Sequence, residues 1–161
     1  MEAATPGGIL TAIFISPVAG APMERRQQVA AIAGLGLEGD RYAAGEGSFS
    51  RWPGPGREVS LIAEKDLIAV REASGIDLLS NRSGAHRRNL VVRGLDLEAL
   101  LQRDFRVGEA LLHGERPCRP CRYLDRVSGL GLYEVLKNHG GGGLRARVVE
   151  GGWMAVRDRV G

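Results

Sequence analysis

Gly-Leu-Arg-Ala-Arg-Val-Val, residues 143–149, alternates in polarity, which puts Leu144, Ala146 and Val148 on one face and Arg145, Arg147 and Val149 on the other. That period of two marks a half-buried strand. Working backward, residues 132–138 and 123–126 read as short helical turns around Gly129 and Gly131, and 105–112 as a hairpin through Gly108-Glu109. Residues 96–101 suit one or two helical turns, and 88–93 (RNLVVR) a buried strand. The clearest helix is 63–73 (AEKDLIAVREA), with Leu67, Ile68 and Arg71 at helical spacing and Gly75 beyond it. Further strands are expected at 58–62, 28–33 and 8–16 (GILTAIFIS), and a last, weakly alternating one at 153–160. Glycine-rich 34–47 and 48–57, with Pro53-Gly54-Pro55-Gly56, read as irregular loops. About seven or eight short strands against two or three short helices argue for a mainly β fold, a closed barrel or sheet rather than repeated βαβ units.

The 161 residues fit one domain that can bury a core without staples. With 43% hydrophobic and 25% charged residues the chain is ordinary globular stock. Its apolar N-terminal run, residues 9–15, has no basic segment before it and is far shorter than the roughly 20 residues of a membrane span. A cytoplasmic protein is therefore expected, and one close cysteine pair is compatible with a reducing compartment. Lysine occurs only at 65 and 137, leaving 20 arginines. Codon usage in a GC-rich genome is one reading of that bias. An anionic ligand is the other, because guanidinium forks grip phosphate and carboxylate bidentately. A net charge of +3, 5% aromatics and no nucleic-acid motif argue against nucleic acid.

Pro117-Cys118-Arg119-Pro120-Cys121-Arg122 is the hexapeptide richest in chemistry. Two thiols separated by two residues can ligate metal, cycle as a disulfide, supply one nucleophile, or be one buried and one incidental cysteine. The three histidines, 86, 113 and 139, lack metal-ligand spacing for structural zinc. Arg116, Arg119 and Arg122 flank the thiols, and guanidinium charge favours the reactive thiolate. Gly39-Asp40-Arg41 lies in a loop able to bring backbone N–H groups to a ligand, without the ending of a nucleotide phosphate loop. His86-Arg87-Arg88-Asn89 puts adjacent donors just before a strand, able to clamp an anion or form a solvated basic turn.

The order of Gly-Leu-Glu-Gly-Asp-Arg at 36–41, Val-Ser-Leu-Ile-Ala-Glu at 59–64, Arg-Arg-Asn-Leu-Val-Val at 87–92 with Gly94-Leu95-Asp96-Leu97, Val-Gly-Glu-Ala at 107–110, and Pro120-Cys121 resembles the MOSC domain. This is the C-terminal module of molybdenum cofactor sulfurases. The resemblance spans residues 8–161 as a single domain, with 1–7 as a short extension. It implies a closed β-barrel related to the pyruvate-kinase barrel domain, and binding of the molybdenum cofactor, a molybdopterin with a terminal phosphate. The family's Pro-Cys is best matched by Pro120-Cys121-Arg122-Tyr123-Leu124. Cys121 is then the catalytic and metal-binding residue, carrying sulfur to the cofactor or ligating molybdenum in a reductase of N-hydroxylated compounds. Arg41, Arg87, Arg88 and Asn89 are expected around the anionic pterin, with Asp40 orienting Arg41 and with Arg145 and Arg147 nearby. The likeness is to the stand-alone bacterial form, so no pyridoxal phosphate is expected. A sulfur-donor or electron-donor protein is the implied partner. The rival reading is a non-catalytic module that binds or delivers the cofactor or an anionic metabolite.

Overall fold

The computed structural model describes residues 7–45, 47, 57–80 and 84–161. In chain order the elements are β1 (Gly8–Ile15), β2 (Glu24–Arg26), β3 (Gln28–Ile32), β4 (Gly36–Leu37), β5 (Val59–Ala63) and α1 (Glu64–Ser74). They continue with β6 (Leu90–Arg93), a 3-10 turn (Leu97–Leu100), β7 (Asp104–Val107), β8 (Ala110–Pro117), α2 (Arg122–Ser128) and α3 (Leu132–His139). Three strands complete the chain: β9 (Leu144–Glu150), β10 (Gly152–Ala155) and β11 (Arg159–Val160).

The chain is mainly β, with one large mixed sheet and three helices among the described residues. The sheet runs β11-β7-β8-β9-β5-β6-β1-β2, and β11 also pairs with β1. The first two residues of β1 pair with β11 at Gly8↔Val160 and Ile9↔Arg159. Its last three pair with β2 at Ile13↔Arg26, Phe14↔Arg25 and Ile15↔Glu24. The ladder of pairings from β1 through β6, β5, β9, β8, β7 and β11 thus returns to β1. A separate three-stranded sheet, β10-β3-β4, packs beside it.

Two apolar layers account for the unbroken hydrophobic runs. On β6, Leu90 and Val92 face an inner core shared with Leu61, Leu112, Ala146 and Val148, while Val91 faces an outer core. The outer core is filled by Leu67 and Val70 of α1, Leu124 of α2, and Leu132 and Leu136 of α3. A strand covered on both faces needs apolar residues at successive positions. In β1, Ile13 and Ile15 point inward and Ala12 and Phe14 outward, yet Leu10 also points inward. The register shift between Leu10 and Ala12 changes the phase of the alternation.

Most expected elements appear within a residue or two of their sequence boundaries. The hairpin turns at Gly108, whose φ is 56° and where a Cβ would lie 2.3 Å from Asp158 Oδ2. Three differences have physical causes. The expected strand at 153–160 is two strands, because Asp158 closes a turn: its Oδ2 accepts from Ala155 N–H at 2.7 Å and its own N–H donates to Ala155 O. The loop at 34–47 contains the two-residue β4, which pairs with β3. One βαβ unit does occur, since β5 and β6 are parallel across α1. Most of the loop expected at 48–57 lies outside the described residues. No described helix is long and apolar enough to cross a membrane.

Leu112 is fully buried at the inner core, whereas Leu35 is 50% exposed. Leu112→Ala is expected to cost about 2–5 kcal/mol in denaturant unfolding. Leu35→Ala should change stability by less than about 0.5 kcal/mol.

Candidate functional site

Three loops deliver the charged residues to one mouth. After β4 the chain turns through Asp40 and Arg41; before β6 it turns through His86, Arg87 and Arg88; after β8 it passes Cys118 and Cys121 into α2. A small cavity of about 50 Å³ lies where they meet. Arg41, Arg87, Arg88, Cys121 and Arg145 line it, all five expected from the sequence. Arg147 does not: its Nε donates to Glu115 Oε1 at 2.7 Å, and the ion pair holds it away from the mouth. The expected face of β9 is nonetheless correct, with Leu144, Ala146 and Val148 buried and both arginines on the opposite side.

Asp40 and Asn89 lie behind the arginines. Asp40, 1% exposed, accepts from Ser16 N–H at 3.0 Å, Arg41 Nη1 at 2.9 Å and Tyr42 N–H at 3.3 Å. Asn89 Oδ1 accepts from Ser60 N–H and Oγ, and its Nδ2 donates to Phe14 O at 3.0 Å. The amide expected to face a ligand is therefore used up in joining β1 to β5. Asp40 does orient Arg41.

The cations themselves are crowded. Arg41 and Arg87 are 6% exposed and Arg88 is 8% exposed. Arg88 is held by Nε to Gly142 O at 2.7 Å and by Nη1 to His86 O at 3.1 Å. Arg87 Nη1 donates to Ala21 O at 2.7 Å, but its Nη2, also buried, has no partner among the described residues. Burial lowers the Arg87 pKa, Arg41 adds repulsion, and Tyr123, Tyr42 and Asp40 oppose. Arg57 is lowered as well, by burial and then by Arg145 and Arg116. Arg87 also holds φ at 61°, a left-handed backbone that costs a non-glycine residue roughly 1–3 kcal/mol. Buried charge, an orphaned donor and backbone strain in one residue are the terms that a bound anion would offset.

His86 underlies this loop, fully buried with its ring edge-on to Phe14 at 5.3 Å. Its Nδ1 accepts from Arg88 N–H at 2.9 Å, so the neutral ring carries its proton on Nε2. Burial, then Arg88, pushes its pKa down to about 3. The two cysteines differ sharply: Cys118 is buried, and Cys121 is exposed, capping α2 without using its thiol for a capping bond. No group of three or more His, Cys, Asp or Glu among the described residues could hold a metal. Tyr42, Ser60, Cys118, Arg119, Tyr123 and Leu124 complete the lining. Of these, Arg119 and Tyr123 were visible as neighbours of the thiols, whereas Tyr42 and Ser60 carried no signal in sequence.

A model of the MOSC domain matches residues 50–161. The chain belongs to the MOSC domain family. Solved structures of similar fold include the YuaD protein from Bacillus subtilis, 16% identical with a TM-score of 0.74, covering 96% of this chain and 94% of that one. A structure described as a hypothetical protein is 19% identical at TM-score 0.70, covering 96% of this chain and 65% of its own. YiiM from Escherichia coli is 22% identical at TM-score 0.63, covering 94% of this chain and 68% of that one. This MOSC chain thus spans about two thirds of the length of two of these structures. At such identities the likeness is one of fold. No curated protein matches the sequence.

Two outcomes follow. Asp40→Ala would strip Arg41 of its buried partner and is expected to cost about 3–5 kcal/mol in chemical denaturation. A His86 pKa lowered in the folded state means that the unfolded chain binds the extra proton between pH 6.5 and about 3. Stability should therefore fall as pH drops through that window, by at most about 1.4 kcal/mol per pH unit from this residue. By NMR the His86 ring should stay neutral down to pH 5; a midpoint near 6.5 would refute the assignment.

Proposed function

We propose that this MOSC protein binds the molybdenum cofactor at the arginine mouth and uses Cys121 to carry sulfur to the cofactor or to ligate molybdenum. The observation that carries the reading is Arg87, which lines the same cavity as Cys121 and whose buried Nη2 has no partner among the described residues. Arg41, Arg87, Arg88 and Arg145 would hold the terminal phosphate and neighbouring anionic groups through charge-assisted bonds. Bound there, the cofactor supplies a thiophilic metal centre able to exchange sulfur or electrons. The exposed Cys121 thiolate is the soft ligand or nucleophile, and the arginines stabilise the anions that approach it. A partly open space of about 50 Å³ suits the anionic end of the ligand and leaves the remainder across its mouth.

Residues 8–161 are taken as one MOSC domain with 1–7 as an extension, and the ring of strand pairings as a barrel of the pyruvate-kinase type. A cytoplasmic setting with a sulfur-donor or electron-donor protein as partner belongs to the same reading. The open mouth favours one alternative, a delivery module that hands the cofactor or an anionic metabolite to another protein without turnover.

Protein purified from a molybdenum-replete host should contain near-stoichiometric molybdenum and pterin. Cys121→Ser is expected to lose most of the molybdenum, and Arg87→Gln most of the pterin. Unchanged metal in Cys121→Ser would remove the role of that thiol, and absence of cofactor under every reconstitution would remove the proposal. Reduction of an N-hydroxylated base, given an electron donor, separates an enzyme from a delivery module.

A further inference from the structure

A second, larger cavity of about 590 Å³ lies across the segment 117–120 from the arginine mouth. That size is within the range of small-molecule sites. Cys118 and Arg119 line both spaces, so the two share a wall. The wall is clamped from both sides: Arg88 Nε donates to Gly142 O at 2.7 Å and Cys118 N–H to Gly143 O at 2.8 Å. Its inner surface is bare backbone by necessity. A Cβ on Gly142 would lie 1.8 Å from Cys118 O, and one on Gly143 would lie 1.9 Å from Leu61 O.

The lining is chemically unlike the arginine mouth. Leu97 and Leu144 form a buried apolar floor, with Leu101 half-buried beside them. Asp66 stands half-buried against Gly140, where a Cβ would come within 2.8 Å of its side chain. Its carboxylate makes no hydrogen bond or ion pair among the described residues. Burial raises its pKa to about 6, with Lys65 opposing and Asp96 adding to the rise. The chain's two lysines, Lys65 and Lys137, both line this cavity, but as exposed residues at its rim. The half-buried charge is therefore negative and without an ion-pair partner among the described residues, and the exposed charges at the edge are mixed, Lys65, Lys137 and Arg119 beside Asp96 and Glu98.

We propose that this cavity is a binding site for a small organic amine with an apolar body, its ammonium on Asp66 and its body over Leu97, Leu101 and Leu144. An anion would lie against Asp66 on an apolar floor, whereas the lysines that could attract it remain in water. A divalent metal lacks the ligands, since among the described residues no three His, Cys, Asp or Glu are grouped so that they could hold one. An ammonium against the carboxylate restores the solvation that burial removed. The charged groups around Asp66 are Lys65 on its own helix, Asp96 and Glu98 from the 3-10 turn, Lys137 from α3, and Arg119 from the shared wall. Because the amine binds the ionised carboxylate, affinity should rise as pH increases through 6 and fall below it. The proposal does not depend on cofactor binding at the arginine mouth.

Phenethylamine is a suitable probe, with 3-phenylpropionate as the anion of similar shape, titrated into the intact 15N-labelled chain. Saturable shifts confined to residues 140–143 and the neighbourhood of Asp66 and Leu97 are expected at pH 7.5. Asp66→Asn should weaken phenethylamine binding about tenfold, and the wild type should lose affinity between pH 7 and 5. Equal or tighter binding of 3-phenylpropionate, shifts located elsewhere, or a pH-independent affinity would overturn the assignment. The anion comparison and the pH series use wild-type protein, so they decide the matter even if the variant fails to fold.

Discussion

Withdrawing a carboxylate from water costs several kcal/mol, and the protein meets that cost at Asp40 by surrounding it with donors. A backbone N–H from the end of β1, another from Tyr42, and the Arg41 guanidinium converge on its two oxygens. Asn89 stands next to it at 3.5 Å and reaches in turn to Phe14 on β1 and Ser60 on β5. The loop after β4, the loop before β6, and the strands β1 and β5 are thus fastened at one buried polar knot. Without it Arg41 would have no fixed geometry, because a guanidinium on a long flexible stem positions nothing by itself, whereas Arg87 and Arg88 are held by the carbonyls of Ala21, Gly142 and His86. Polar networks of this type specify arrangement more than they add stability.

The arginine mouth is built in the opposite sense. Arg41, Arg87 and Arg88 are buried together, their mutual repulsion is answered only in part, and one of them is held in a left-handed backbone. Strain and unsatisfied charge persist where the surrounding structure over-determines them. Here the surroundings are two apolar layers, one inside the ring of strands and one between it and the three helices. Stability gained in those layers is what allows the mouth to remain poorly satisfied.

Much of this was legible in the sequence, for identifiable reasons. Period-two alternation at 143–149 gave the correct facing of β9 because that strand is buried on one side only. The apolar run at 8–16 located β1, but its facing depended on a bulge between Leu10 and Ala12 that no local pattern marks. At 153–160 a hydrogen bond from Ala155 N–H to the Asp158 carboxylate broke an apparent strand in two. Among the expected site residues, the structure brings Arg41, Arg87, Arg88 and Cys121 to one cavity. The Asn89 amide could serve a ligand or the fold equally well in the sequence, and in the structure it bonds Ser60 and Phe14. Arg147 stands apart from that cavity, paired with Glu115 on the neighbouring strand, a contact that local sequence does not mark. Ser60 reaches the mouth through its long-range bonds to Asn89 and left no trace, and Tyr42 reaches it as the next residue after Arg41.

The pairing of Gly8 with Val160 has a temporal meaning. It joins residues from opposite ends of the described chain, so the ring of strands cannot close until the last of its strands has left the ribosome. Until then β1, among the most apolar segments, has an open edge where β11 will later sit, and an open apolar edge invites association with other chains. The chain is therefore most vulnerable during synthesis, before the two-residue strand β11 docks, and its folding rate should be governed by that distant closure rather than by its helices.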